Sequence, residues 1–203
     1  MVAYHDDEWG MPVRDETDLF ERLALESFQA GLSWSTVLRK RAAFRAAFRG
    51  FDPGVVATMD ATDRERLMAD AGIVRNRAKI EATIGNATAF MATAEEFGSF
   101  GAYLVSIVPP PPRRLPPTAM AADVPATTPA SDALSADLRQ RNFRFVGPTI
   151  VYALMQSIGL VDDHLPGCFR YADRSRDRVA VTTSSETLQE PDPREPKESR
   201  SRC

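Results

Sequence analysis

Two groups of residues in this chain of 203 could do chemistry. The first is Glu26 with Tyr4, His5, Trp9, Phe28 and Trp34 close to it in sequence. A carboxylate among aromatic faces is the composition of a pocket that stacks a flat ring and hydrogen-bonds its edge. A plainer reading competes. On a helical wheel Glu26 falls between the Leu19/Leu23/Ala30 face and the polar side carrying Asp18, Arg22 and Gln29, with Arg22 one turn back within ion-pair reach. On periodicity alone Glu26 reads as a solvated or paired glutamate, and Trp9 and Trp34 as core or rim residues. The second group is His164 and Cys168 in the run Asp162-Asp163-His164-Leu165-Pro166-Gly167-Cys168. An imidazole and a thiolate at this spacing could both ligate Zn²⁺, with His5 a third ligand if the two ends of the fold meet. The alternative is a His164 that caps the preceding helix and a Cys168 that is a small buried side chain.

Two cationic features point to phosphate. The turn Phe145-Val146-Gly147-Pro148-Thr149 ahead of a helix lets backbone amides face an anion, and Arg139, Arg141 and Arg144 stand just before it. It resembles a helix-hairpin-helix clamp on a DNA strand, although a plain helical hairpin fits the same residues. Arg41, Arg45 and Arg49 recur every fourth residue, as either a phosphate-lining row or the solvated flank of a helix.

The elements that must position these groups read as all-α. Helix-sized blocks run from Asp15 to about Val108, without any alternating stretch of useful length. The spacing predicts helices over Asp15 to Ala30, Ser33 to about Phe48, a short one ending near Gly72 opened by a capping box at Thr62-Asp63-Arg64-Glu65, then Arg77 to Phe97 and Phe100 to Val108. Pro109 to Pro112 exclude helix, so 109–128 reads as a loop. Helices resume at Pro129 to about Arg141 and Pro148 to Ile158. Asp173 to Cys203, with seven basic and seven acidic residues and almost no large apolar side chains, reads as a disordered tail. The expected division is a helical domain over 1–171 and a tail over 172–203. A 43% hydrophobic content is enough for a core, the net charge of −3 names no partner, and no apolar run is long enough to span a membrane. Two cysteines cannot build a disulfide framework, so the expectation is a soluble cytoplasmic protein in a reducing compartment.

The strings AYHDDEWG (3–10), LESFQAGLSW (25–34), AGIVRN (71–76) and Phe145-Val146-Gly147 through Asp163-His164 resemble, in order, the bacterial 3-methyladenine DNA glycosylase I family. The likeness runs from about residue 2 to about residue 170. It implies an all-α fold of the helix-hairpin-helix glycosylase superfamily and hydrolytic removal of a flipped-out 3-methyladenine from alkylated double-stranded DNA. It further implies that Glu26 is the base-recognising, catalytic acid, that Tyr4 and Trp34 are its stacking aromatics, and that Trp9 is another aromatic of the pocket. Gln29, Gly31 and Leu32 match the turn that approaches the lesion, Leu32 as a wedge into the vacated stack, with Val146, Gly147 and Thr149 on the DNA at the hairpin. His5, His164 and Cys168 match three of the four ligands of a structural zinc. The family's fourth ligand, a cysteine, and a further pocket tyrosine precede the point at which this chain begins, Met1-Val2-Ala3-Tyr4. The expectation is a start codon placed too late, or a three-ligand site completed by water, Cys203 or a neighbouring chain. The three lysines, Lys40, Lys79 and Lys197, give the pocket segment no Schiff-base nucleophile, so the expected enzyme is monofunctional. A monomer that releases free 3-methyladenine is the accompanying expectation. Two other readings remain: a non-catalytic module for alkylated DNA on the same fold, and a small zinc hydrolase on His5, His164 and Cys168, which the absence of an H-E-x-x-H pair disfavours.

Overall fold

Most helices open on a side-chain cap. Asp15, Ser33, Asp52, Asp60, Asn76, Ser99 and Thr128 each accept from a first-turn amide, and Pro53, Pro129 and Pro148 stand at first-turn positions where no N–H is missed. The computed structural model describes residues 1–110 and 112–171, so the expected tail and Cys203 lie outside the described residues. The described helices are α1 (Val2–Asp7), α2 (Glu16–Gln29), α3 (Trp34–Arg39), α4 (Arg41–Ala47), α5 (Pro53–Ala57), α6 (Ala61–Ala69), α7 (Arg77–Phe97), α8 (Phe100–Ile107), α9 (Pro129–Gln140) and α10 (Pro148–Ser157).

The structure departs from the spacing-based expectation at several points, among them the short helices α1 and α5. The helix expected over Ser33 to Phe48 breaks at Lys40, whose Nζ donates to the carbonyl oxygens of Ala71 and Gly72 and so ties the α3–α4 junction to the α6–α7 loop. The cap of α6 is Asp60 rather than Thr62, because Asp60 already accepts from Asp63 N, while Glu65 turns outward to Arg77. Within the expected loop, Arg113–Arg114 forms a two-residue parallel bridge, β1, to β2 at Val161–Asp162, and a 3₁₀ turn follows at Ala121–Asp123.

The long helices α2 and α7 share a core rich in phenylalanine, with Phe20, Phe28, Phe44, Phe48, Phe51, Phe90 and Phe100 all buried. α2 is central: every residue from Leu19 to Phe28 is buried, so it has no solvated face. A helix buried all round should be apolar, yet this one carries Glu21, Arg22 and Glu26. A buried charge is tolerated when it is paired, so those three residues mark what the fold is built to hold.

Candidate functional site

The buried charges of α2 are paired with one exception. Glu21 accepts from Arg41 Nε at 2.6 Å and from Arg45 Nε at 2.9 Å. Arg22 donates to Glu8 Oε2 at 3.0 Å and to the Tyr4 hydroxyl at 3.3 Å, and Arg41 also reaches Glu8 at 2.6 Å. The row Arg41, Arg45 and Arg49 is therefore a helix flank engaged by carboxylates, with Arg45 and Arg49 still exposed to solvent. Its first two members neutralise buried Glu21, and Arg49 pairs with Asp63. Glu26 is left over, 4% exposed and with Oε2 buried without a hydrogen-bond partner. The expected solvated or Arg22-paired glutamate is not found, because Arg22 turns toward α1. Burial pushes the Glu26 carboxyl up to about 8, opposed only by the nearby Arg22 charge.

Glu26 opens onto a cavity of about 290 Å³ lined by Met1, Tyr4, His5, Trp9, Gln29, Trp34, Ala153 and Gln156. Tyr4 and Trp34 meet with ring centroids 5.2 Å apart, tilted by 52°. Desolvation holds the Tyr4 hydroxyl protonated, pushed up to about 12, and its ring lies under the Arg22 guanidinium. A volume near the bottom of the range for drug-sized ligands, about 300–1,000 Å³, suits one planar heterocycle better than a nucleotide. Tyr4, Trp9, Glu26, Gln29 and Trp34 are thus brought together, whereas Gly31 and Leu32 sit outside the cavity on the turn after α2.

That turn is held from beneath. Gly31 has φ +80, which a side chain adopts only with strain, and Leu32 is exposed. Lys79 of α7 donates its Nζ to the carbonyl oxygens of Phe28 at 2.9 Å and Ala30 at 2.6 Å, closing the C-terminal end of α2 with a cation. At the hairpin, Asn142 and Phe145 adopt left-handed backbone, and Gly147, with φ −62, does not. Asn86 of α7 bonds both the N–H and the carbonyl of Arg144, and Ser27 and Ser135 donate to the carbonyls of Phe145 and Val146. The Val146 side chain is core, so only its main chain can face a ligand, whereas Thr149 is exposed at the start of α10. Of the three arginines before the turn, Arg141 is committed to Glu96 and Asp137, while Arg139 and Arg144 lie exposed.

His5, His164 and Cys168 converge, so the ends of the described fold do meet: their ligand atoms lie within 4.8 Å of one another, and His5 Nε2 is 3.7 Å from Cys168 Sγ. His5 Nδ1 bonds Asp6 at 2.9 Å and buried His164 Nδ1 bonds Asp162 at 2.8 Å. A carboxylate on one ring nitrogen fixes the other as a ligand atom, and neighbouring N and S donors around tetrahedral Zn²⁺ stand about 3.5 Å apart. These donor types suit Zn²⁺ and would supply three of the four ligands of a tetrahedral site. Trp9 stacks on His5 and lies 4.5 Å, centroid to centroid, from His164, so the cluster adjoins the cavity through Trp9 and His5, which line it. Gly159 permits the backbone of residues 10–12 to pack close beside it, because a Cβ there would lie 2.9 Å from the Gly10 carbonyl oxygen.

Sequence reading missed Ala153, Gln156 and Asp163. Gln156 lines the cavity and donates Nε2 to Asp163, which also bonds Arg113 and Tyr152. The only available signal was the pair of aspartates immediately before His164.

The family described as Methyladenine glycosylase matches residues 1–171. DNA-3-methyladenine glycosylase 1 of Escherichia coli (strain K12) is 49% identical over 170 residues, covering 84% of this chain and 90% of that protein. DNA-3-methyladenine glycosylase of Haemophilus influenzae is 46% identical over 169 residues, 82% of this chain and 90% of the other. A crystal structure of a 3-methyladenine DNA glycosylase I variant in complex with 3-methyladenine superposes with a TM-score of 0.80 at 39% identity, over 84% of this chain and 91% of that one.

Proposed function

Because the chain belongs to the methyladenine glycosylase family, we propose that its cavity takes a 3-methyladenine flipped out of alkylated DNA and that the enzyme hydrolyses the bond between base and sugar. The observation that carries this reading is Glu26: a buried carboxylate without a hydrogen-bond partner, at the wall of an aromatic cavity the size of one base. Such a group is costly in an empty pocket and favourable beside a flat cation.

N3-methylation gives adenine in the nucleoside a positive charge, so the base departs as a neutral molecule with the electron pair of the C1′–N9 bond. Water then adds to C1′ and releases a proton. The protein need not protonate the leaving group. Glu26 accepts from the edge of the cationic base and stabilises the positive charge as it passes to the sugar, while Tyr4, Trp9 and Trp34 supply aromatic faces and exclude water. A neutral adenine would gain less from the same carboxylate, and a damaged base costs less to unstack.

We assign DNA contact to the turn Gln29–Leu32 and the hairpin before α10. Leu32 is exposed and apolar on a braced turn, as a wedge into a base stack requires. The N-terminus of α10 carries no side-chain cap, which leaves first-turn amides for a phosphate of double-stranded DNA. Neither described lysine lines the cavity, and both are engaged by backbone carbonyls, which supports hydrolysis without Schiff-base lyase chemistry. His5, His164 and Cys168 would hold a structural Zn²⁺ that ties α1 to the segment after β2 and so fixes Tyr4 and Trp9. We further propose a cytoplasmic monomer; among the described residues no helix is long and apolar enough to cross a membrane.

The test is release of free 3-methyladenine from methylated duplex DNA by the full chain, beside a Glu26→Gln control. Release by the wild type and its loss in the control is the expected result. Lesion binding without release would favour the non-catalytic module, and release that stops on zinc chelation while the protein stays folded would favour a zinc hydrolase.

A further inference from the structure

Gln156 lies on the last turn of α10, half-buried in the wall of the cavity that Glu26 also lines. Its amide orientation is decided by chemistry. Nε2 is 2.9 Å from Asp163 Oδ2, and a carboxylate that already pairs with Arg113 Nη1 at 2.8 Å and takes the Tyr152 hydroxyl can only accept. The NH₂ group must therefore face Asp163, and the carbonyl oxygen is turned away from it. Among the described residues that oxygen accepts no hydrogen bond. Asp163 is itself fixed: it is 4% exposed and anchored by Arg113 and by Tyr152 of the neighbouring turn of α10.

Resting on the reading of the cavity as a base pocket, we propose that Gln156 is a specificity-determining residue that offers its carbonyl oxygen to the 6-amino group of the bound purine, with Asp163 the positioning residue that prevents the amide from flipping. Glu26 and Gln156 then present two acceptors to the base. A 6-aminopurine answers them with two N–H donors, whereas a 6-oxopurine would set its own acceptor against Gln156. A freely rotating glutamine could serve either base by exchanging its oxygen and nitrogen. The Asp163 bond removes that choice, and this is the physical content of the specificity. A site built to bond a polar group rejects the analogue that leaves its own polar atom unpaired far more strongly than shape alone can.

The experiment measures dissociation constants of free 3-methyladenine and free 3-methylguanine for the wild type, Gln156→Met and Gln156→Asn, at fixed pH and with thermal unfolding of each variant recorded. Methionine keeps the volume and loses the acceptor. Asparagine keeps the amide on a chain one methylene too short to span from Asp163 to the base. Both should weaken 3-methyladenine about tenfold, the worth of one hydrogen bond of about 1.4 kcal/mol, and leave 3-methylguanine unchanged or tighter, so that the preference ratio falls about tenfold or more. Equal weakening of both bases, or an unchanged ratio in either folded variant, would overturn the proposal, since a merely structural glutamine moves both constants together. Failure of the wild type to bind 3-methyladenine at all would instead refute the base pocket, so the two readings fail separately.

Discussion

Replacing Glu26 by glutamine should make the empty protein more stable at high pH while disabling it. The carboxyl titrates near 8 in the folded chain because burial disfavours its charge, against 4.5 for the unperturbed group. Across that interval the folded state binds a proton that the unfolded state lacks, so its stability falls as pH rises. Tenfold in proton affinity is worth about 1.4 kcal/mol, so between about pH 6 and about pH 8.5 the wild type should lose on the order of 2 kcal/mol through this group alone. Glu26→Gln carries no titrating group, and every other pH-dependent contribution cancels in the comparison. Urea unfolding of both proteins at the two pH values therefore reads the term directly: the variant's advantage should widen by about that amount. Binding moves oppositely, because loss of a charge-assisted hydrogen bond of about 1.5–3 kcal/mol weakens a cationic base roughly ten- to a hundredfold. A stability gap that does not change with pH would show that Glu26 is not held buried and unpaired, and with it would go the argument that the pocket stores a cost which the cationic base relieves.

Lys79→Met should cost about 1–3 kcal/mol, since it orphans the Phe28 and Ala30 carbonyls, and it should speed proteolysis at the Gly31–Leu32 turn; unchanged cleavage would show that the turn is held by other contacts. Gly31→Ala puts a side chain at φ +80 with open space around its Cβ, so the expected loss of about 1–2 kcal/mol is backbone strain alone; an unchanged urea midpoint would contradict it. Saturating Zn²⁺ at about a hundred times its Kd should stabilise the chain by about 2.7 kcal/mol, an effect lost in His164→Ala; base release should survive chelation below the lowered Tm, and no shift in melting with added zinc would refute the metal site.

The caps at Asp15, Asn76 and Thr128 and the apolar spacing of the long helices are local, and helix ends depend on a few neighbouring residues, which is why α2, α7, α9 and α10 could be placed to within a residue or two. The break at Lys40 could not, because its cause is a bond to carbonyls about thirty residues away. Tyr4, Trp9, Glu26 and Trp34 were legible as candidates through their types and through the family likeness of their motifs. Their bland alternatives were equally legible, since periodicity sees one helix at a time.

What the sequence determined by itself was the set of helices, the aromatic company of Glu26, and the donor types His5, His164 and Cys168. What only the tertiary structure decided was the state of each charge. Arg22 stands one turn from Glu26 yet turns to Glu8 and Tyr4, the arginines of α4 go to Glu21, and Asp163 locks Gln156 against the cavity from another element. Whether a carboxylate is paired or left bare depends on which cations the packing delivers to it from distant parts of the chain. Burial then turns that difference into a shift in proton affinity of several powers of ten at Glu26.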